Sequence, residues 1–201
     1  MLKLYIEDSP LRSGHAVRGI GAYTRNLKNE IAKSVEIVGK EDNPDIILYP
    51  YFDLFQNTLK IKNGEKVVVM IHDVIPLLYP KNYPPGLRGK WNFKKQKDQL
   101  MKAKAILCDS ETTKKDLVRY VDGPADKIFP THLAPNPLVQ PVKQESKLKE
   151  IKEKYSLPGK FVLYVGDINY NKNVPALAKA CISLKLPLVI VGKQAASSDF
   201  D

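Results

Sequence analysis

Residues 67–80 read VVVMIHDVIPLLYP, an uncharged, largely β-branched run that ends on a His-Asp pair and then a proline. A run this short and this apolar is predicted to be a parallel strand covered on both faces, because a half-solvated strand would alternate polar and apolar residues. His72 and Asp73 then fall just past the carboxyl end of that strand, which is where doubly wound sheets bind ligands. Working outward, Asp45–Tyr49 and Ala105–Cys108 are runs of the same kind, and helical stretches are expected near 87–103 and 111–120. At the N-terminus, residues 2–7 alternate like a strand and run into Asp8-Ser9-Pro10, read as a turn. Ile20, Tyr23, Leu27 and Ile31 then fall at helical spacing, and a strand is expected over 35–38. Strands alternating with helices in this way predict an α/β fold with a Rossmann-like, doubly wound parallel sheet.

Pro130, Pro135, Pro137 and Pro141 interrupt the pattern and give way to the charged helical segment SKLKEIKEKYSL, the best domain boundary in the chain. The alternation restarts with a strand over 161–165, a Gly166-Asp167 turn, a helix over 174–182 and a strand over 188–191. Two domains are therefore expected, residues 1–140 and residues 141–201, with the second an incomplete Rossmann-like unit. Two strands and a helix seldom enclose a core alone, so this unit is expected to lean on the first or to be truncated.

Composition narrows the function classes. With 43% hydrophobic and 27% charged residues the chain is a globular protein, and no run approaches the length of a membrane-spanning helix. The acidic, unpatterned N-terminus is not a secretory signal, which leads to an expected cytoplasmic location. Cys108 and Cys181 have no metal-ligand spacing and read as buried thiols. A net charge of +10, spread over both halves, favours anionic partners, which include nucleic acid, acidic lipid and nucleoside diphosphates, and does not choose among them. Specific nucleic-acid binding is not expected, since no recognised nucleic-acid motif is present and the basic residues form no single tract.

Several motifs carry chemistry. Gly14, Gly19 and Gly21 lie between a strand and a helix, where backbone N–H groups can approach a phosphate or a sugar hydroxyl, although the spacing is not GxGxxG. An ordinary tight turn is as good a reading of the glycines alone. His72 could bond a substrate hydroxyl or orient a reacting group, while His72 and Asp73 could equally cap the following turn. Ser110, with Glu111 in the first turn after it, reads chiefly as a helix N-cap. In the second unit, Gly166, Lys172 and Asn173 place a turn and a cation before a helix, which suits a diphosphate but also suits a solvated lysine. The helix around Arg88, Lys90, Lys94, Lys95, Lys97, Lys102 and Lys104, with Trp91, Phe93, Leu100 and Met101 among the charges, has the composition of a basic interfacial helix. A solvated face over a buried stripe explains it as well.

In order along the chain, GIGAYTRNL (19–27), VVVMIHDVIPLLYP (67–80), ILCDSETTKKDL (106–117), APNP (134–137) and FVLYVGDINYNKNVPALAKA (161–180) resemble the GT-B-fold retaining glycosyltransferases of family 4, particularly the mannosyltransferase-like members. The resemblance implies two Rossmann-like domains, the first for the acceptor and the second for a nucleotide sugar, with positive side chains in place of a metal. It implies that a hexose, mannose among the candidates, passes from a nucleotide-sugar donor to a glycan or lipid-linked acceptor. The basic helix adds the expectation of peripheral contact with the anionic inner face of a membrane, at the cytoplasmic location read from the N-terminus. The resemblance puts His72 and Asp73 at the reaction centre. Gly19, Gly21, Gly166, Lys172 and Asn173 fall to the donor, and Arg18, Tyr23, Ser110 and Glu111 to the acceptor. Asp167 stands where the family usually has an arginine or another donor-contacting residue, and the family's paired-glutamate motif would lie beyond residue 201. The 201-residue chain alone is accordingly expected to have little transferase activity. The alternative is a non-catalytic remnant that binds glycan or membrane.

Overall fold

The computed structural model describes residues 1–16, 19–136, 139–192 and 195. Chain contacts divide it into two units, Met1–Asn136 and Pro137–Asp201. In the first unit the elements run β1 (Lys3–Ile6), α1 (Ser9–Arg12), α2 (Gly19–Ile31), β2 (Glu36–Ile37), β3 (Ile46–Tyr49), β4 (Val67–Ile71), α3 (Ile75–Leu78), α4 (Gly86–Met101), β5 (Ala105–Cys108), α5 (Glu111–Val121) and β6 (Ile128–Pro130). The six strands form one parallel sheet in the order β2-β1-β3-β4-β5-β6. This is the doubly wound α/β sheet expected from the alternation of apolar runs and helices.

Two cores lie on the opposite faces of the sheet. Alternation along β1 turns Leu4 and Ile6 to one side, where they meet Leu48 of β3 and Leu27 and Ile31 of α2. On the other side Val67, Val69 and Ile71 of β4 and Ile106 of β5 pack with Leu100 of α4 and Leu117 and Val121 of α5. Each fully buried aliphatic side chain of this kind contributes about 1.5–3 kcal/mol, so β4, buried at every position but the partly covered Val68, is the central beam of the unit.

No helix bridges β3 and β4. The irregular segment 50–66 covers the sheet face instead, placing Phe52, Leu54 and Leu59 in the core. Such a segment needs partners for its backbone polar groups, and Gln96 of α4, fully buried, provides them. Its Oε1 accepts from the N–H groups of Thr58 and Leu59 (3.1 and 2.8 Å), and its Nε2 donates to the Leu59 carbonyl (3.2 Å).

Three local differences from the sequence reading have plain causes. Asp8-Ser9-Pro10 enters a helical turn, α1, because proline is preformed for the first helical positions. Residues 75–78 form the short helix α3, again with a proline in its first turn. Pro130 belongs to β6 and does not interrupt the sheet, since an edge strand has one side that needs no N–H donor.

The second unit contains α6 (Glu145–Lys154), β7 (Val162–Val165), α7 (Val174–Ser183) and β8 (Leu188–Val191), with β7 and β8 paired in parallel. Among its described residues only Val174 and Cys181 are buried. Leu163 and Val165, which alternation puts on one face of β7, are 55% and 67% exposed, so among the described residues this small sheet has an apolar face without cover from its own unit.

Candidate functional site

The sheet changes its direction of growth at β1: β2 adds on one side and β3 on the other. In open α/β sheets the crevice beyond the carboxyl ends of the strands at such a switch point is the ligand site. A cluster of polar groups lies next to that crevice, at the carboxyl ends of β3, β4 and β5.

Strand register does the gathering. Ile71 of β4 pairs with Cys108 of β5, so the next residues, His72 and Asp109, leave the sheet side by side. His72 Nδ1 lies 3.0 Å from Asp109 Oδ2, and His72 Nε2 lies 3.0 Å from the carbonyl oxygen of Pro50, the residue after β3. Both ring nitrogens thus face acceptors, and a neutral ring donates from one nitrogen only. Tyr23, from the second turn of α2, meets the His72 ring edge-on at 4.8 Å between centroids. Burial, followed by the charge of Asp109, pushes the Tyr23 phenol up to about 12, so it stays neutral and available as a donor.

Beside this cluster is a pocket of about 160 Å³ lined by Tyr51, Phe52, Asp53, Phe55, His72 and Asp73, among others. The Tyr51 hydroxyl donates to Asp53 Oδ2 (3.2 Å), and its pKa is raised by burial first and then by the carboxylates of Asp53 and Asp73. The Tyr51 ring also packs against His15 with centroids 4.7 Å apart. Among the described residues, His15 Nδ1 and Asp109 Oδ1 are the buried side-chain polar atoms without a hydrogen-bond partner, and both belong to this cluster. Among the described residues no lysine or arginine lines the pocket. A larger hollow of about 670 Å³ lies at the amino ends of β3 and β4, among Lys40, Glu41, Asp45, Lys62, Glu65 and Lys66. It is open, of mixed charge and at the end of the sheet that ligands avoid, so the smaller pocket is the better candidate.

The residues singled out in the sequence fall as follows. His72 and Asp73 are in the pocket wall, and Asp73 Oδ1 also accepts from the Ile75 N–H (3.0 Å), capping the turn into α3. Tyr23 is at the site, whereas Arg18 lies outside the described residues. Ser110 is the N-cap of α5, its Oγ accepting from the Thr113 N–H at 3.1 Å, and Glu111 is exposed in the first turn. Gly21 N–H donates to the His15 carbonyl (3.2 Å), and its missing Cβ lets α2 sit against the backbone of His15 and Ala16, while Gly19 has open space around it. Gly166, Lys172 and Asn173 belong to the second unit. Lys172 ends a 3-10 turn and Asn173, in the left-handed region at φ 49°, starts α7. Among the described residues no group of His, Cys, Asp and Glu side chains is arranged to hold a metal ion.

Asp109, Tyr51, Asp53 and His15 were not singled out as site residues. Asp109 had a signal, being the first polar residue after its strand just as His72 is after β4. Tyr51 and Asp53 follow β3 in the same way but lie in an aperiodic segment.

Comparison with known proteins adds a class to this geometry. No family model matches the chain. The chain is similar to the Escherichia coli serotype-specific mannosyltransferase WbdA, 27% identical over 172 residues, covering 82% of this chain and 21% of the relative. It is also similar to the Escherichia coli O-antigen chain mannosyltransferase B, 27% identical over 135 residues, covering 64% of this chain and 35% of the relative. The chain thus spans about a fifth to a third of these relatives. These similarities support the resemblance to mannosyltransferase-like glycosyltransferases carried by the motif order. Among solved structures, Anabaena Alr3699/HepE in complex with UDP-glucose overlays with a TM-score of 0.46 at 11% identity, over 96% of this chain and 69% of that one. At that score the overlay is partial, and the fold assignment rests on the strand order of this chain.

Proposed function

We propose that this chain is the acceptor-binding unit, with the opening of a donor-binding unit, of a retaining family 4 glycosyltransferase. The reaction is transfer of a hexose, mannose by the names of the relatives, from a nucleotide sugar to a glycan or lipid-linked acceptor. The proposal includes a cytoplasmic location with peripheral contact to an anionic membrane, and no requirement for metal. Among the described residues no helix is long and apolar enough to cross a membrane.

The observation that carries the proposal is the chemistry of the pocket at the carboxyl ends of β3 and β4. Tyr51, Phe52 and Phe55 offer apolar ring surface, and Asp53 and Asp73 offer carboxylate acceptors, with no lysine or arginine among the described lining residues. Ring faces suit the C–H face of a sugar and carboxylates accept from its hydroxyls, whereas a diphosphate would be repelled by the two acids. The pocket therefore suits the neutral acceptor. The donor diphosphate is assigned to Gly166, Lys172 and Asn173 of the second unit.

His72 and Asp73 are the groups proposed at the reaction centre. For His72 to bond a substrate hydroxyl, Nε2 exchanges the Pro50 carbonyl for that hydroxyl while Asp109 keeps Nδ1 and holds the ring plane. Asp109 is in this sense a positioning residue. The test is transfer from nucleotide-activated mannose to a mannose-terminated glycan, using the protein made from its intact coding frame. Transfer that falls at least about a hundredfold in His72→Ala supports the proposal. Glycan binding without transfer from any nucleotide sugar would favour the non-catalytic reading.

A further inference from the structure

Helix α4 has a face that its own fold does not explain. Gly89, Gln96 and Leu100 are buried, and Phe93 packs toward Phe55 with centroids 5.8 Å apart. On the outward side Leu87 is 87% exposed and Trp91 is 61% exposed. They are one turn apart and therefore share a stripe. Arg88, Lys90, Lys94 and Lys95 are exposed around them, and Asp98 is the single acid in the helix. Lys95 Nζ sits 3.3 Å from the centroid of the Trp91 ring, so the apolar stripe and the cations form one patch.

We propose that this face of α4 docks on an anionic bilayer, with Leu87 and Trp91 entering the interface and Arg88, Lys90, Lys94 and Lys95 contacting headgroup phosphates. The inference specifies the peripheral-membrane part of the proposed function and does not depend on the transferase part. Three features point to lipid. Tryptophan is suited to the headgroup level because its ring is apolar and its N–H polar. Long basic side chains extend from an immersed helix to the phosphates. A leucine at the outermost point of the face gains nothing from a polynucleotide but gains burial in the acyl boundary. The net charge of +10 adds attraction to the same surface.

Trp91 is the single tryptophan of the sequence, so its fluorescence reports this face alone. The chain is titrated with vesicles of phosphatidylglycerol and phosphatidylethanolamine, and in parallel with pure phosphatidylcholine. Expected are a blue shift of Trp91 emission and co-sedimentation with the anionic vesicles only, weakening as salt is raised. Leu87→Ser should weaken sedimentation about tenfold, and Lys94→Glu with Lys95→Glu roughly tenfold or more, with circular dichroism unchanged because these positions are exposed. Absence of binding would overturn the inference. So would binding with no emission shift and no effect of Leu87→Ser, or a Trp91 response to duplex DNA but not to vesicles. Sugar transfer does not enter these readouts, so either reading can fail without the other.

Discussion

His72 Nδ1 and Asp109 Oδ2 are 3.0 Å apart, and the same imidazole reaches the Pro50 carbonyl with Nε2, so one ring joins the carboxyl ends of β3, β4 and β5. Removing either partner leaves a polar group of the half-buried pair unmatched. Asp109→Ala and His72→Ala are each expected to cost about 1–3 kcal/mol in urea unfolding. Asp109→Asn, whose amide oxygen still accepts from Nδ1–H, should cost less than half of that. A double-mutant cycle should show a coupling of about 1 kcal/mol, and strict additivity would mean that the contact contributes nothing.

Gly19 and Gly21 open the same helix but should respond oppositely to alanine. A Cβ on Gly21 would sit 2.5 Å from the His15 carbonyl oxygen and 2.6 Å from that of Ala16, both backbone atoms, while a Cβ on Gly19 meets nothing within 4 Å. Gly21→Ala is expected to destabilise by about 1–3 kcal/mol despite the better helix propensity of alanine. Gly19→Ala should be neutral or stabilising by up to about 1 kcal/mol. Thermal unfolding of the two variants checks the contrast.

Gln96 is the anchor of the 50–66 segment. Gln96→Ala strands the N–H groups of Thr58 and Leu59 and the Leu59 carbonyl, for an expected loss of about 2–4 kcal/mol. Because that segment carries Tyr51, Phe52, Asp53 and Phe55, the variant should also loosen the pocket. Limited proteolysis within 50–66, faster than in the parent chain, is the accompanying readout.

Alkaline stability follows from the buried phenols. Tyr23 is raised to about 12, by burial first and by Asp109 second, and burial likewise raises Tyr49 and Tyr51. Each favours the neutral form in the folded state, so its stabilising contribution is fully present below pH 10, the unfolded value, and is lost as pH rises toward the folded value. Tyr23→Phe should flatten the loss between pH 10 and about 12 by on the order of 1 kcal/mol, allowing for its partial exposure.

The sheet was legible because β3, β4 and β5 are at least partly covered on both faces and must be apolar throughout, a demand that leaves a plain mark in Val67–Ile71. The His72 end of the site was legible for the same reason, since a polar residue directly after such a run has left the core. Asp109 obeyed the same rule, yet its neighbour Ser110 carried the stronger local signal as a helix cap. Tyr51 and Asp53 were hidden because segment 50–66 has no period. Its path is set by Gln96, some forty residues away along the chain and an ordinary solvated glutamine by composition. The edge strand β6 escaped because proline normally argues against a strand, and only its place at the sheet margin permits it.

Whether the pocket between Tyr51 and Asp73 holds a sugar is settled by saturation-transfer NMR of the chain with a mannose oligosaccharide. Saturation of the sugar ring protons by the parent chain, lost in Tyr51→Ala and in Asp73→Ala while the circular dichroism of both variants is unchanged, is the expected result. Saturation that is absent from the parent chain, or that persists undiminished in both variants, would contradict an acceptor site at the carboxyl ends of β3 and β4.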